Sequence, residues 1–180
     1  MQEKQRISTH RLCMDAMLAA LCAVLGYVSL DLGNMKITFE SLPILLGALM
    51  FGPLDGFAAG AMGTLIYQLL RYGVSVTTLL WILPYALAGL AAGWYAKRRG
   101  FVLRGTETLV LVMACELLIT LLNTGMMYVD SKIYGYYSFA YIFGSFAMRL
   151  VLCLAKGAAF GAVLPRLVRA LQALRRRAAV

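Results

Sequence analysis

Positive charge in this chain is gathered at a few places separated by long apolar runs, and that alternation restricts the possible folds more than any other feature. Twelve of the seventeen Lys and Arg residues lie in three places. They are the N-terminal tail (Lys4, Arg6, Arg11), a central connector (Lys97, Arg98, Arg99, Arg104) and the C-terminal region (Arg166, Arg169, Arg175, Arg176, Arg177). Basic residues stay on the cytoplasmic side of a membrane because translocating them is costly, so such clusters mark segments that do not cross. The connectors left for the other side carry only Lys36, Arg71 and Lys132. Arg149 and Lys156 fall inside an apolar run and need a separate account.

Six apolar runs are readable, over residues 12–30, 37–51, 54–70, 77–96, 108–129 and 139–163. At 62% hydrophobic and 14% charged residues the chain is too apolar for an ordinary water-soluble domain. A helix needs roughly 20 apolar residues to cross a hydrocarbon core about 30 Å thick. The expected fold is an all-α integral membrane protein, a single six-helix domain over residues 1–180, multi-pass in the cell membrane with both termini cytoplasmic. The second and third runs are short and divided by Gly52-Pro53. Two spans joined by a tight turn fit better than one bent or re-entrant element, because an even number of crossings returns the basic C-terminus to the side of the N-terminus. The first run reads as a retained helix, since it is longer than a signal-peptide core and lacks a small-x-small cleavage site.

The net charge of +9 is the positive-inside signature, aided by attraction to anionic headgroups, and no soluble segment is present to carry a nucleic-acid site. Cys13, Cys22, Cys115 and Cys153 lie within or at the edge of apolar runs without C-x-x-C spacing and read as small core residues. His10 is the only histidine, so no metal cluster is expected. There is no G-x-x-x-x-G-K-[ST] phosphate loop and no nucleophile–base pair or paired-carboxylate site. Neither an enzyme nor a resident cofactor is expected.

Small residues recur at helical spacing: Gly52, Gly56 and Gly60, then Gly89 and Gly93, then Gly157 and Gly161. In lipid such faces let helix backbones approach closely, and internal packing is the expectation for each. Ala16-x-x-x-Ala20 and the overlapping Ala19-x-x-x-Ala23 form a smooth face that suits either internal packing or docking of another membrane helix. Spacing alone favours the former. Nine of the ten tyrosines (all but Tyr95) fall toward the outer side, more than an interfacial aromatic belt would supply. With Gln68, Arg71, Trp81 and Asn123 nearby, they could line an outward pocket for a flat polar molecule.

Two ionisable residues sit deep in the apolar runs. Arg149 is about ten residues into the sixth run, roughly 15 Å at 1.5 Å per residue, and Glu116 reaches a similar depth from the other side. A charge at such depth faces a partner or water. A Glu116–Arg149 pair is the economical expectation, with Lys156 and Asp15 reaching toward the cytoplasmic surface. If Glu116 neutralises only one of the two cations, a pocket near Arg149 favours an anionic ligand.

The run Met35-Lys36-Ile37-Thr38-Phe39-Glu40-Ser41-Leu42-Pro43-Ile44, continued by Phe51-Gly52-Pro53-Leu54-Asp55-Gly56, resembles the substrate-binding S components of energy-coupling factor (ECF) transporters, folate-type most closely. Their second span opens on Ile/Phe-Ser-x-Leu-Pro and closes on Phe/Leu-Gly-Pro, and Ala16-x-x-x-Ala20 is similar to their first-helix motif. The resemblance covers nearly the whole chain. It implies a non-enzymatic subunit that captures a vitamin-like molecule from outside. That subunit then docks on a membrane coupling (T) subunit and two cytoplasmic ATPases. It also implies that Ala16 and Ala20 are the docking surface, which reverses the preference from spacing. A stand-alone secondary carrier or channel is the rival reading, disfavoured because no internal repeat or pair of broken helices is visible. A small membrane enzyme or assembly factor is a third.

Candidate substrate-binding residues follow by chemistry. Tyr67, Tyr72, Trp81, Tyr85 and Tyr128 offer faces for stacking a planar ring. Glu40, Gln68 and Asn123 offer acceptors for the N–H edge of a pterin or similar heterocycle. Arg71 and Arg149 could meet a carboxylate or phosphate with two parallel N–H bonds. A flat heterocycle with an anionic tail satisfies all three sets, a folate-like compound first and riboflavin or another vitamin second.

Overall fold

The Gly52-Pro53 pair decides the path of the chain between its second and third apolar runs. Gly52 takes φ 120°, a conformation that favours glycine, and Pro53 begins the next helix at a position where its missing N–H costs nothing. The computed structural model describes residues 9–31 and 36–178. Lys4 and Arg6 of the basic tail and Met35 of the second-span motif lie outside the described residues. Helices are α1 (Thr9–Tyr27), α2 (Ser41–Phe51), α3 (Pro53–Tyr72), α4 (Thr78–Arg98), α5 (Gly105–Ile133), α6 (Phe139–Phe143) and α7 (Phe146–Ala178). Among the described residues, the only departure from all-α is a two-residue antiparallel ladder, β1 (Leu30–Asp31) with β2 (Lys36–Ile37), Leu30 opposite Ile37.

Helix thus occupies each of the six apolar runs, the last divided between α6 and α7. Among the described residues, three stretches are long and apolar enough to cross a membrane: Thr78–Arg98, Gly105–Ile133 and Phe139–Ala173, with mean hydropathies of 1.4, 1.9 and 1.7. The helix α2 is different. It is apolar on all sides, and Ile44, Leu45, Ala48 and Leu49 are essentially inaccessible. A helix of that composition belongs in the interior, and α2 packs against α1, α3, α4 and α7. Its 11 residues reach only about 16 Å. Being short, it leaves open space beyond its first turn, between the far halves of the surrounding helices.

Glycine sets how closely α3 and α4 approach. A Cβ on Gly89 would lie 2.2 Å from the carbonyl oxygen of Gly56, and one on Gly56 would lie 2.6 Å from that of Gly89. The two backbones are therefore in direct contact, the packing mode expected where lipid supplies no hydrophobic gradient. Gly157 and Gly161 instead make room for the side chains of Met113 and Leu109 of α5. At the basic end, Arg11 of α1 bonds both carboxylate oxygens of Asp55 on α3 and the Phe51 carbonyl. Of the four cysteines, Cys22, Cys115 and Cys153 are buried. Cys13 is exposed, contrary to the reading of all four as core residues, because it lies on the outward side of α1.

Candidate functional site

Above the start of α2 lies a cavity of about 560 Å³, within the size range of small-molecule sites. Its wall combines the 37–40 segment, the last turns of α3, the first turns of α4, the second half of α5, the 134–141 region and the first turns of α7. All of these lie at the end of the bundle away from the α4–α5 connector, where Lys97, Arg98, Arg99 and Arg104 are found.

Eight of the ten candidate substrate residues line it: Glu40, Tyr67, Gln68, Tyr72, Trp81, Tyr85, Asn123 and Arg149. Glu40, immediately before α2, is only 1% exposed. It fits because Gly26 has no side chain, since a Cβ there would stand 2.9 Å from both Glu40 Oε2 and Tyr67 Cγ. The Tyr85 hydroxyl receives the Asn123 Nδ2–H at 3.4 Å and lies 3.5 Å from the Thr38 hydroxyl. Asn123 Oδ1 is buried with no hydrogen-bond partner in the protein. Tyr67 and Tyr72 meet edge to face, their ring centres 6.1 Å apart.

The other two candidates are elsewhere. Arg71 turns toward the end of α1, bonding the Tyr27 carbonyl at 3.2 Å and the Ser29 hydroxyl at 3.4 Å. Tyr128 points off the cavity, stacked edge to face on Tyr137 with Lys132 over both rings. Both readings rested on position along the chain, which does not say which way a helical residue faces.

Arg149 and Lys156, the two cations in the apolar part of α7, do not pair as expected. Glu116, fully buried, bonds Lys156 rather than Arg149: Lys156 Nζ lies 2.8 Å from Glu116 Oε2, and the Ser41 hydroxyl donates to Glu116 Oε1 at 2.5 Å. Lys156 Nζ also donates to the Thr38 carbonyl at 3.4 Å. Lys156 therefore does not reach for the cytoplasmic surface. The error came from depth. A turn at Gly144-Ser145 separates α6 from α7, so Arg149 is only three residues past Phe146, about 5 Å into α7, while Glu116 lies much farther from the cavity mouth. Arg149 instead donates to the Met127 thioether at 3.0 Å, a weak acceptor. Among the described residues no carboxylate lies within ion-pair distance of it.

Several lining residues were not singled out in the sequence. Thr38 lies in the motif that carries the resemblance, and Lys156 was noticed as an intramembrane charge but placed elsewhere. Asp130, at the far end of α5, accepts the Tyr136 hydroxyl. Burial first, then this bond and the carboxylate's charge, raise the Tyr136 phenol well above its usual range. Tyr134, Tyr136 and Tyr141 line the cavity, so the tyrosine-rich outer loop is partly wall and not only interface.

On α1 the two overlapping alanine pairs separate by face. Ala19 and Ala23 are buried, and Gly63 of α3 packs against the Ala19 carbonyl and Cys22. Ala16 and Ala20 are exposed on the outer surface of the bundle.

The pattern that defines the family "ECF transporter, substrate-specific component" matches residues 10–171. The chain belongs to that family. It is an S component, the substrate-binding subunit of a vitamin transporter, and an integral protein of the plasma membrane. No curated protein matches this S component significantly by sequence. Among solved structures it is similar to FolT crystallised with folic acid, at 20% identity over 84% of this chain and 89% of that one, with a TM-score of 0.64. It is also similar to an S component for biotin from an ECF-type transporter, at 15% identity over 94% and 95% of the two chains and a TM-score of 0.66. The S component of a bacterial ECF transporter matches at 18% identity over 92% and 96%, with a TM-score of 0.62. At these identities the likeness establishes the shared fold.

Proposed function

We propose that this S component captures a planar vitamin with an anionic tail, a folate-like compound first, for an ATP-driven importer. Six crossings with both termini cytoplasmic would put the cavity mouth outside, opposite the basic connector. The observation that carries the reading is the composition of the cavity wall. It joins stacking surfaces (Tyr67, Tyr72, Trp81, Tyr85) and acceptors (Glu40, Gln68, Asn123) with a guanidinium, Arg149, that has no carboxylate within ion-pair distance among the described residues. Acceptors suit the N–H edge of a heterocycle, and a half-buried Arg without a counter-ion suits a carboxylate or phosphate. Folic acid bound in the similarly folded FolT supports the order of preference, and the biotin S component keeps other vitamins in the comparison.

Mass spectrometry of small molecules that co-purify with the detergent-solubilised protein tests the substrate directly, followed by calorimetry with folic acid, riboflavin and biotin. A neutral aliphatic compound in the cavity would overturn the assignment. Docking on a membrane coupling subunit with two cytoplasmic ATPases is proposed to use the exposed Ala16 and Ala20. Ala20→Trp should then abolish uptake by cells carrying the whole transporter while leaving ligand affinity within about twofold, because a bulky ring blocks close helix approach. Equal loss of binding and uptake would make that face internal packing. Uptake by the chain alone at the rate of the whole assembly would favour a secondary carrier.

A further inference from the structure

We propose that the groove between the end of α4 and the start of α5 is a binding site for one anionic phospholipid. The groove has a volume of about 440 Å³ and lies at the opposite end of the bundle from the substrate cavity, lined by Tyr95 and Arg99 on one side and Glu107, Val110, Leu111 and Ala114 on the other. Its depth is apolar and its rim is basic. Val110 is two-thirds exposed although it belongs to a long apolar helix, so its natural neighbour is an acyl chain. Glu107 to Ala114 is seven residues, about 10 Å along α5, enough to hold the upper part of such a chain.

The rim is arranged for a phosphate. Residues 97–107 carry Lys97, Arg98, Arg99 and Arg104 against Glu107, four positive charges and one negative, a formal +3. Arg99 is held in place by the Tyr95 ring, 5.6 Å from its centre, and by donating to the Tyr95 hydroxyl at 3.3 Å. Arg98 is stacked at 3.7 Å over Trp94, one residue round the helix, which fixes a second guanidinium at the same level. Glu107 does not satisfy Arg99. It lies 3.8 Å away at the limit of an ion pair, and its other oxygen accepts the Arg104 backbone N–H. A guanidinium pre-set by an aromatic ring retains free N–H groups for two-pronged phosphate contact. Trp94 and Tyr95 also place this level at the membrane–water boundary, where a headgroup phosphate sits. Basic pockets between membrane helices bind anionic headgroups on the same principle.

The test is native mass spectrometry of the purified full chain with phosphatidylglycerol or phosphatidylcholine of identical acyl chains. One phosphatidylglycerol should be retained preferentially. Arg99→Gln should lower its retention about fivefold, the effect of one basic residue near a headgroup. Ala114→Trp should lower it similarly with every charge intact, by filling the groove, whereas Lys132→Gln at the other end should change nothing. Added inorganic phosphate should leave the retained lipid in place. Equal retention of the two lipids, or no larger effect at Arg99 than at Lys132, would overturn the site. Undiminished retention in the Ala114 variant would reduce it to general surface attraction, which also overturns it. Displacement by inorganic phosphate would reassign the rim to a free anion. The Arg99 and Ala114 variants are independent, so failure of either to fold leaves the other decisive.

Discussion

The floor and the mouth of the substrate cavity treat a positive charge in opposite ways. Lys156 and Arg149 stand seven residues apart on α7, about 10 Å along the same side. At the floor, Lys156 meets Glu116, which is itself held by Ser41, and Lys156 adds a bond to the Thr38 carbonyl. Three segments are joined there: the approach to α2, α5 and α7. At the mouth, Arg149 meets a thioether and, among the described residues, no carboxylate within ion-pair distance. A buried ion pair that is also tied to a hydroxyl and a backbone carbonyl orders the scaffold around it. A cation left against neutral wall is poised for a partner from outside. Charge alone does not distinguish the two, but the neighbours do.

The sharpest way to break this contrast is at the floor. Lys156→Met strands a fully buried carboxylate and should cost about 3–5 kcal/mol of stability, read as a large fall in the melting temperature of the detergent-solubilised protein. Adding Glu116→Gln to that variant should recover most of the loss, because no uncompensated charge remains. A loss in the range of a surface pair, about 1 kcal/mol or less, would erase the difference between floor and mouth. At the mouth the expected effect is smaller and falls on a different quantity. Arg149→Gln should weaken binding of folic acid about 10–100-fold, corresponding to about 1.5–3 kcal/mol for a charged hydrogen bond, with little change in melting temperature. Calorimetry beside a melting curve separates the two, and a drop in stability with affinity intact would make Arg149 structural as well. The smallest effect belongs to the neutral wall. Asn123→Ala should cost roughly 2–10-fold in affinity, in line with about 0.5–1.5 kcal/mol for an uncharged hydrogen bond. A loss as large as that of Arg149→Gln would mean that the amide, and not the cation, anchors the ligand.

What sequence could and could not reveal follows from the same residues. The helical segments were legible because apolar runs and basic connectors are one-dimensional signals. The glycine contact of Gly56 with Gly89 was legible in kind, since four-residue spacing marks a close-packing face, although not in its partner. Facing was the weak point. Ala16/Ala20 and Ala19/Ala23 are offset by three residues, only about 60° around a helix, so spacing could not say which pair looks inward. Arg71 and Tyr128 were placed near the cavity by height and face away from it by rotation. The Glu116–Arg149 pairing failed for a third reason: depth was counted through the Gly144-Ser145 turn as though the helix were continuous. Tyr85, Gln68 and Glu40 line the cavity because they sit within about two turns of helix ends that converge on one space.

Gly26 carries a consequence for how such a cavity diversifies. Its missing side chain is the volume that Glu40 and Tyr67 occupy from two other segments, so positions 26, 40 and 67 divide a single space among them. Position 26 cannot be enlarged unless Glu40 or Tyr67 gives way. A relative with alanine or serine at 26 must carry a shorter residue at 40 or a smaller ring at 67, and the three should covary across the family even though they are far apart in the chain. Recognition of a different vitamin at this wall would then evolve through paired replacements, passing through intermediates in which the wall is either crowded or hollow.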